Sequence, residues 1–428
     1  MEWKKIYDDR KMSAEDAVKL IHDGERVVIG HAAGVPLALT DVLVDHREDY
    51  RDVEIVQMVS MGNAKFSEPG MEGHFRLNSF FLGAHSRAAV REGRGDFTPC
   101  GFSEVPQLFR EYLPVDAAVI IVTPPDKNGY CSCGISVDYT LPAARCAKRV
   151  IAQVNPRMPR THGDTYLHVS EIDAFVEIEE PVLELSIPKI GEVERAIGEN
   201  CAKLIRDGDT LQLGIGAIPD AVLLFLKDKK DLGIHSEMMS DGVVELIEAG
   251  VVTNKRKTLH PGKTVVTFLM GTKRLYDYAD DNPSIYMCPV DYVNDPFVIA
   301  KNDALVSVNS CIQVDLQGQV ASESAGLSQI SGIGGQADFV RGARRSRGGR
   351  SIMAITSTAK GGSVSRIVPF LDEGAAVTTS RTDVDYIVTE YGIAALRGKT
   401  LKQRAEALIE IAHPAFRQGL IAEYENRF

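Results

Sequence analysis

The chain has 428 residues, too many for one ordinary hydrophobic core, and 44% of them are apolar, so a globular protein of two domains is expected. A formal charge of −11 argues against nucleic acid as a general partner, which would need a basic face. The first twenty residues lack an apolar signal core and no apolar run is long enough to cross a bilayer, so a cytoplasmic protein with no membrane partner is expected.

The seven cysteines are scattered and form no CxxC pair. Neither a disulfide framework nor a structural zinc site is indicated, and the thiols are read as reduced and mostly buried.

Taken in order, the chain repeats itself. Residues 17–43 mirror residues 201–226, each reading as an amphipathic helix, an Asp-Gly turn, a strand, and a glycine turn that ends in proline. The stretch from Ile55 to Gly62 then lies over that from Ile234 to Gly242, which sets Met58 opposite Glu237. Further echoes keep the same order: 80–83 with 268–271, 126–129 with 315–318, and 172–176 with 384–388. Buried strand runs are expected at 26–29, 117–122 and 149–154, and again at 264–268, 305–308 and 351–355. This is the pattern of α/β layers built on mainly parallel sheets, so the fold class is two similar, duplicated α/β domains.

Residues 180–189 are extended and marked by prolines, and 190–206 then open the second copy as a helix. The domains are therefore placed at 1–188 and 189–428. Residues 65–78 are polar and glycine-bearing, and 161–168 read as an exposed loop. Residues 401–426 have a helical pattern broken at His413-Pro414, suited to packing on a sheet or a partner subunit; a homo-oligomer is expected.

The stretch 211–242 carries the chemistry. A strand at 210–213 enters the turn Gly214-Ile215-Gly216, Pro219 and Asp220 open a helix over 221–227, and a short strand at 234–236 hands the chain to Glu237. Ligand sites in parallel sheets lie at such strand ends. The GxGxxP turn also permits a dinucleotide site with Glu237 on a ribose. Against that, Pro219 stands where a third glycine is expected, and the duplicated turn has Met58 at the position of the acid. The run from Ser331 to Phe339 is denser in glycine, and successive backbone N–H groups there could form an anion-binding nest. Five arginines between 341 and 350 follow it. Their density reads as a solvated loop, with a contact to a ligand's phosphates or to a subunit as the alternative.

With HSEMMSDG around Glu237 and GIGGQADF at 332–339, the sequence resembles the acetyl-CoA hydrolase/transferase family, closest to the 4-hydroxybutyrate and butyrate:acetate CoA-transferases, over essentially its whole length. The resemblance implies acyl-CoA bound at the interface of two α/β domains and a catalytic glutamate in the second. Glu237 takes the glutamate position, and Gly332, Gly334, Gly335, Asp338 and Phe339 stand in the glycine loop. Gln212, His31 and Met58 take positions that line the site, and Gly214 and Gly216 are expected in substrate contact. Coenzyme A enters as a substrate, with no permanently bound cofactor and no metal, and short-chain carboxylates are its acceptors.

A carboxylate suits this reaction because it is ionised at neutral pH and can become an activated acyl group. Glu237 would attack an acyl-CoA, giving a mixed anhydride. The released thiolate would then convert it to a glutamyl-CoA thioester, and a second carboxylate would reverse both steps. Backbone N–H groups at Gly334 and Gly335, or the Gln212 amide, are candidate oxyanion donors, each worth about 3 kcal/mol when well aimed. An acyl-CoA hydrolase on the same scaffold and a non-catalytic dinucleotide-binding protein are the rival readings.

Overall fold

The computed structural model describes residues 2–427, and the chain forms two compact units. The first comprises residues 1–186 together with 265–293, and the second comprises 187–264 and 294–428. Residues 265–293, assigned from sequence to the second domain, thus pack with the first. Among the described residues no helix is long and apolar enough to cross a membrane.

The first unit is built on a seven-stranded, wholly parallel sheet. Its strands are β1 (Arg26–Ile29), β2 (Val53–Gln57), β3 (Phe75–Ser79), β4 (Gly95–Phe97), β5 (Ala117–Val122), β6 (Arg149–Val154) and β7 (Ala174–Glu177), in the spatial order β7-β6-β5-β1-β2-β3-β4. β5 lies inside the sheet and all six of its residues are buried, as expected for a parallel strand covered on both faces. β3 falls at the end of the stretch that sequence marks only as polar. Phe75 and Leu77 enter the core while Arg76 points outward to an ion pair with Asp96, so a period of two was hidden by its charged member.

The second unit carries β8 (Thr210–Leu213), β9 (Gly233–Ile234), β10 (Leu305–Ser310), β11 (Arg350–Ala354), β12 (Tyr386–Thr389) and β13 (Gly392–Ala395), ordered β9-β8-β10-β11-β12-β13, with only β13 antiparallel. Read from its other edge, this order is that of the first sheet. β12, β11, β10, β8 and β9 follow one another as β7, β6, β5, β1 and β2 do, so the repeat in the sequence is a repeat in topology. The copies differ at both edges: β2 is continued by β3 and β4 whereas the second sheet stops at β9, and β7 ends the first sheet whereas β12 is followed by the antiparallel β13.

Helix α1 (Glu192–Ala202) packs on α2 (Ala217–Leu224), and Gly198 permits the approach, since a Cβ there would lie 2.6 Å from the Ala221 carbonyl carbon. α2 starts four residues before the helix expected from sequence because Gly216, at φ 113, serves as its N-cap and leaves Pro219 within the first turn.

Two expectations are corrected. Residues 161–168 are not an exposed loop: they contain two short strands, and Thr161, Thr165 and Leu167 are fully buried, with Thr161 Oγ1 donating to the Gly134 carbonyl. The arginine cluster is not a solvated loop either. Arg341, Arg344 and Arg345 lie on α3 (Gln336–Arg345); Arg344 pairs with Asp383, Arg345 lies over the Phe297 ring, Arg347 pairs with Asp303, and Arg350 on β11 forms a buried pair with Asp209. Every one of these partners comes from a distant part of the sequence. The C-terminal region is helical as α4 (Leu401–Glu410) and α5 (Pro414–Arg427), with the break at His413-Pro414 and α4 against β13. Five of the seven cysteines are buried.

Candidate active site

In the second unit, β8 is buried along its whole length and delivers the chain to the Gly214-Ile215-Gly216 turn. β9 runs beside it, and the two are tied just beyond the pairing: Ser236 Oγ donates to the Leu213 carbonyl (3.1 Å) and accepts from the Leu213 N–H (3.3 Å). The next residue is Glu237. Its position is therefore set by a fixed strand end rather than by a free loop.

The Glu237 carboxylate is half-buried, and Asn294 Nδ2 donates to Oε2 at 2.8 Å. Asn294 is wholly buried, and its own Oδ1 has no hydrogen-bond partner among the described residues. Gly335 forms the other wall. A Cβ on residue 335 would lie 2.0 Å from Glu237 Oε2 and 2.3 Å from Asn294 Nδ2, so the carboxylate occupies the space a side chain would take. Gly335 is also the N-cap of α3, and a carboxylate beside the start of a ten-residue helix meets the positive end of its dipole. Gly334 sits at φ 54, where glycine is favoured. The first turn of α3 is held by Gln336 Nε2, which donates to Ser322 Oγ and Thr379 Oγ1.

The remaining expected residues of this unit are placed as follows. Gly332 is buried, and Asp338 is buried in the first turn of α3. Phe339 is a core residue whose ring centroid lies 6.3 Å from that of His235. Gln212, buried on β8, exchanges amide hydrogen bonds with Asn309 on β10: Gln212 Nε2 donates to Asn309 Oδ1 (3.2 Å) and Asn309 Nδ2 donates to Gln212 Oε1 (3.1 Å). Gly214 and Gly216 are half-buried, and a Cβ on Gly216 would meet open space.

His31 and Met58 belong to the first unit. His31 is 3% exposed, its Nδ1 lies 3.1 Å from Asp138 Oδ2, and rings of Phe102, Tyr139 and Phe268 surround it. Asp138 is itself fully buried and accepts from Ser136 Oγ, the N–H groups of Tyr139 and Thr140, and Thr140 Oγ1. Against a carboxylate oxygen that accepts, His31 Nδ1 is assigned as the donor. Met58 is buried next to this group, its N–H donating to the Tyr139 hydroxyl at 3.3 Å.

Residues 1–185 match the acetyl-CoA hydrolase/transferase N-terminal domain, and residues 271–424 match the C-terminal domain of the same family. The chain belongs to the acetyl-CoA hydrolase/transferase family. The 4-hydroxybutyrate coenzyme A transferase of Clostridium kluyveri is 62% identical over the whole of both chains. The butyryl-CoA:acetate CoA-transferase of Anaerostipes caccae is 38% identical, covering 100% of this chain and 98% of that protein. Among solved structures, a 4-hydroxybutyrate CoA-transferase from Porphyromonas gingivalis superposes with a TM-score of 0.87 at 46% identity, covering 100% of both chains.

Three neighbours in this acetyl-CoA hydrolase/transferase fold escaped the sequence reading. Asn294 lies 57 residues beyond Glu237, and Asn309 lies 97 beyond Gln212, with no local signal at either. Asp138 lies 107 residues beyond His31. A single sequence shows such pairs only after folding.

A further carboxylate near the site titrates unusually. Burial first, then the Asp241 charge, pushes the Asp220 carboxyl up to about 6, against a partial opposing hydrogen bond from Ser240. A group whose native pKa exceeds its unfolded value supports folding fully below the unfolded pKa. That support is lost as pH rises through about 6. Asp220→Asn removes the cost of the buried charge, so it is expected to stabilise the protein at pH 8 by roughly 1 kcal/mol, a figure discounted for partial solvent access, and to change little near pH 4. Urea unfolding at the two pH values measures the difference.

Proposed function

We propose that the chain is a CoA-transferase of the 4-hydroxybutyrate/butyrate:acetate type in which Glu237 is the nucleophile. The observation that carries the assignment of Glu237 is its carboxylate, held by Asn294 in the side-chain-free space of Gly335 at the start of α3. The substrates are an acyl-CoA and a free short-chain carboxylate, and coenzyme A is the group transferred rather than a resident cofactor.

One oxygen of Glu237 attacks the acyl-CoA carbonyl, and the thiolate leaves to give a mixed anhydride. The thiolate then attacks the Glu237 carbonyl carbon and expels the acyl group as a free acid, leaving a glutamyl-CoA thioester. In that second step charge develops on the glutamyl oxygen that remains. When Oε1 attacks, this oxygen is Oε2, on which Asn294 Nδ2 already sits at 2.8 Å, so the oxyanion finds a donor that needs no reorganisation. A second carboxylate runs the two steps backward. The donor and acceptor sides are both thioester plus carboxylate, so the exchange is close to balanced in energy and needs no metal or redox step.

The test uses the purified protein with butyryl-CoA alone, followed by borohydride reduction and peptide mass spectrometry. Glu237 is expected to be the modified residue, and modification elsewhere would remove it from the role. Formation of acetyl-CoA and butyrate in proportion to added acetate supports transfer, whereas release of free CoA without any acceptor acid would make the enzyme a hydrolase.

A further inference from the structure

β9 is an edge strand, and its outer polar groups are not left to water. In the first unit the equivalent strand β2 pairs with β3, and Ile55, the counterpart of Ile234 in the repeat, stands in register with Leu77. Among the described residues no strand follows β9 on that side; the chain there makes only an isolated parallel bridge between Leu232 and Val252, one residue before β9. Gly233 and His235 bond to β8 through their N–H groups, to the carbonyls of Asp209 and Leu211, so the polar groups of Ile234 between them point to the open edge.

Two side chains from residues 254–257 meet them. Asn254 Oδ1 accepts from the Ile234 N–H at 2.8 Å, and Lys257 Nζ donates to the Ile234 carbonyl at 2.7 Å and to the Lys263 carbonyl at 2.6 Å. Both side chains are buried, at 5% and 4% exposure. Asn254 holds a left-handed backbone (φ 56), and its Nδ2 donates to Thr264 Oγ1 at 3.0 Å, the amide's orientation being fixed by the Ile234 N–H, which can only donate. The Lys257 stem runs across Gly233, where a Cβ would lie 2.5 Å from Lys257 Cγ. Burial pushes the Lys257 ammonium down to about 7. A buried lysine is costly and is held here, among the described residues, by two backbone carbonyls, which sets it apart from a surface charge.

We propose that Asn254 and Lys257 are positioning residues for the nucleophile: they bind both backbone polar groups of Ile234 in place of the strand that this edge lacks, and so fix where the chain delivers Glu237 three residues later. The inference rests on Glu237 being the nucleophile.

The experiment compares Lys257→Met, which keeps the stem and removes the donors, with Asn254→Gly and Asn254→Asp, which both tolerate the left-handed backbone but only the second of which keeps the acceptor. For Lys257→Met and Asn254→Gly, kcat for butyryl-CoA:acetate exchange is expected to fall about tenfold with KM within about twofold, the signature of a misplaced reacting group rather than lost binding. Amide hydrogen exchange over residues 233–240 is expected to quicken, and Asn254→Asp to recover most of the rate. Unchanged kcat in folded Lys257→Met and Asn254→Gly would overturn the proposal, as would a fall in Asn254→Asp equal to that in Asn254→Gly. Borohydride labelling of the wild-type enzyme separates the two ideas. Label on Glu237 with unchanged variants sinks the clamp alone, and label on another residue sinks the nucleophile.

Discussion

The Glu237→Gln variant is expected to fold normally, to bind acyl-CoA, and to lose transfer activity by on the order of 10⁴-fold or more. Glutamine matches glutamate in volume, and its amide oxygen can still accept from Asn294 Nδ2, so the packing against Gly335 survives. What disappears is the chemistry. A carboxamide oxygen is a poor nucleophile at neutral pH, and no anhydride or glutamyl thioester can form from it. Glu237→Asp asks a finer question, because withdrawing the carboxylate by one methylene takes it out of reach of Asn294 while keeping the charge. A displacement of that size is worth about 10²-fold in rate. Steady-state exchange between butyryl-CoA and acetate, with calorimetric binding of the CoA ester as the folding and binding control, measures both variants. A Glu237→Gln enzyme within tenfold of wild type would exclude this carboxylate as the acyl carrier.

How much of this could be read in advance depends on how local the cause is. The central strands β1, β5 and β6 announce themselves because a parallel strand covered on both faces must be apolar at nearly every position, and the structure places them at 26–29, 117–122 and 149–154. The repeat was legible for the same reason, and the shared strand order gives it a physical meaning. β3 was hidden because an alternating strand with Arg76 and Asn78 on one side resembles a polar loop. The arginines at 341–350 were misread because charge density is a local property, while the aspartates that pair with Arg344, Arg347 and Arg350 arrive from residues 383, 303 and 209. At the site the glycine of residue 335 was visible in the sequence. The reason for it was not, since that reason is a carboxylate and an amide brought in by folding. Asn294, with its buried amide, carries no signature of any kind in a single sequence.

Gly335→Ala is expected to reduce kcat by about 100-fold with little change in the fold, and the reason can be isolated to one methyl group. Gly335 has φ −93 and ψ 6, which alanine also adopts, so the substitution adds no backbone strain and acts only through the Cβ. That Cβ would fall 2.0 Å from Glu237 Oε2 and 2.3 Å from Asn294 Nδ2, inside any permitted contact. Moving α3 away is the costlier escape, because the first turn is tied down by Gln336 and its interior residues Phe339 and Val340 are fully buried. The carboxylate therefore yields, by more than 1 Å, and its bond to Asn294 breaks. Overpacking of this kind also costs about 1–3 kcal/mol of stability, which thermal unfolding would register separately from the rate. Pairing the change with Glu237→Asp completes the argument. The shorter acid vacates the space the new methyl needs, so the double variant is expected to be less impaired than the product of the two single effects, a coupling that only residues in contact show. Simple multiplication of the two losses would mean that residue 335 and the carboxylate do not share that space, and the seat proposed for the nucleophile would be wrong.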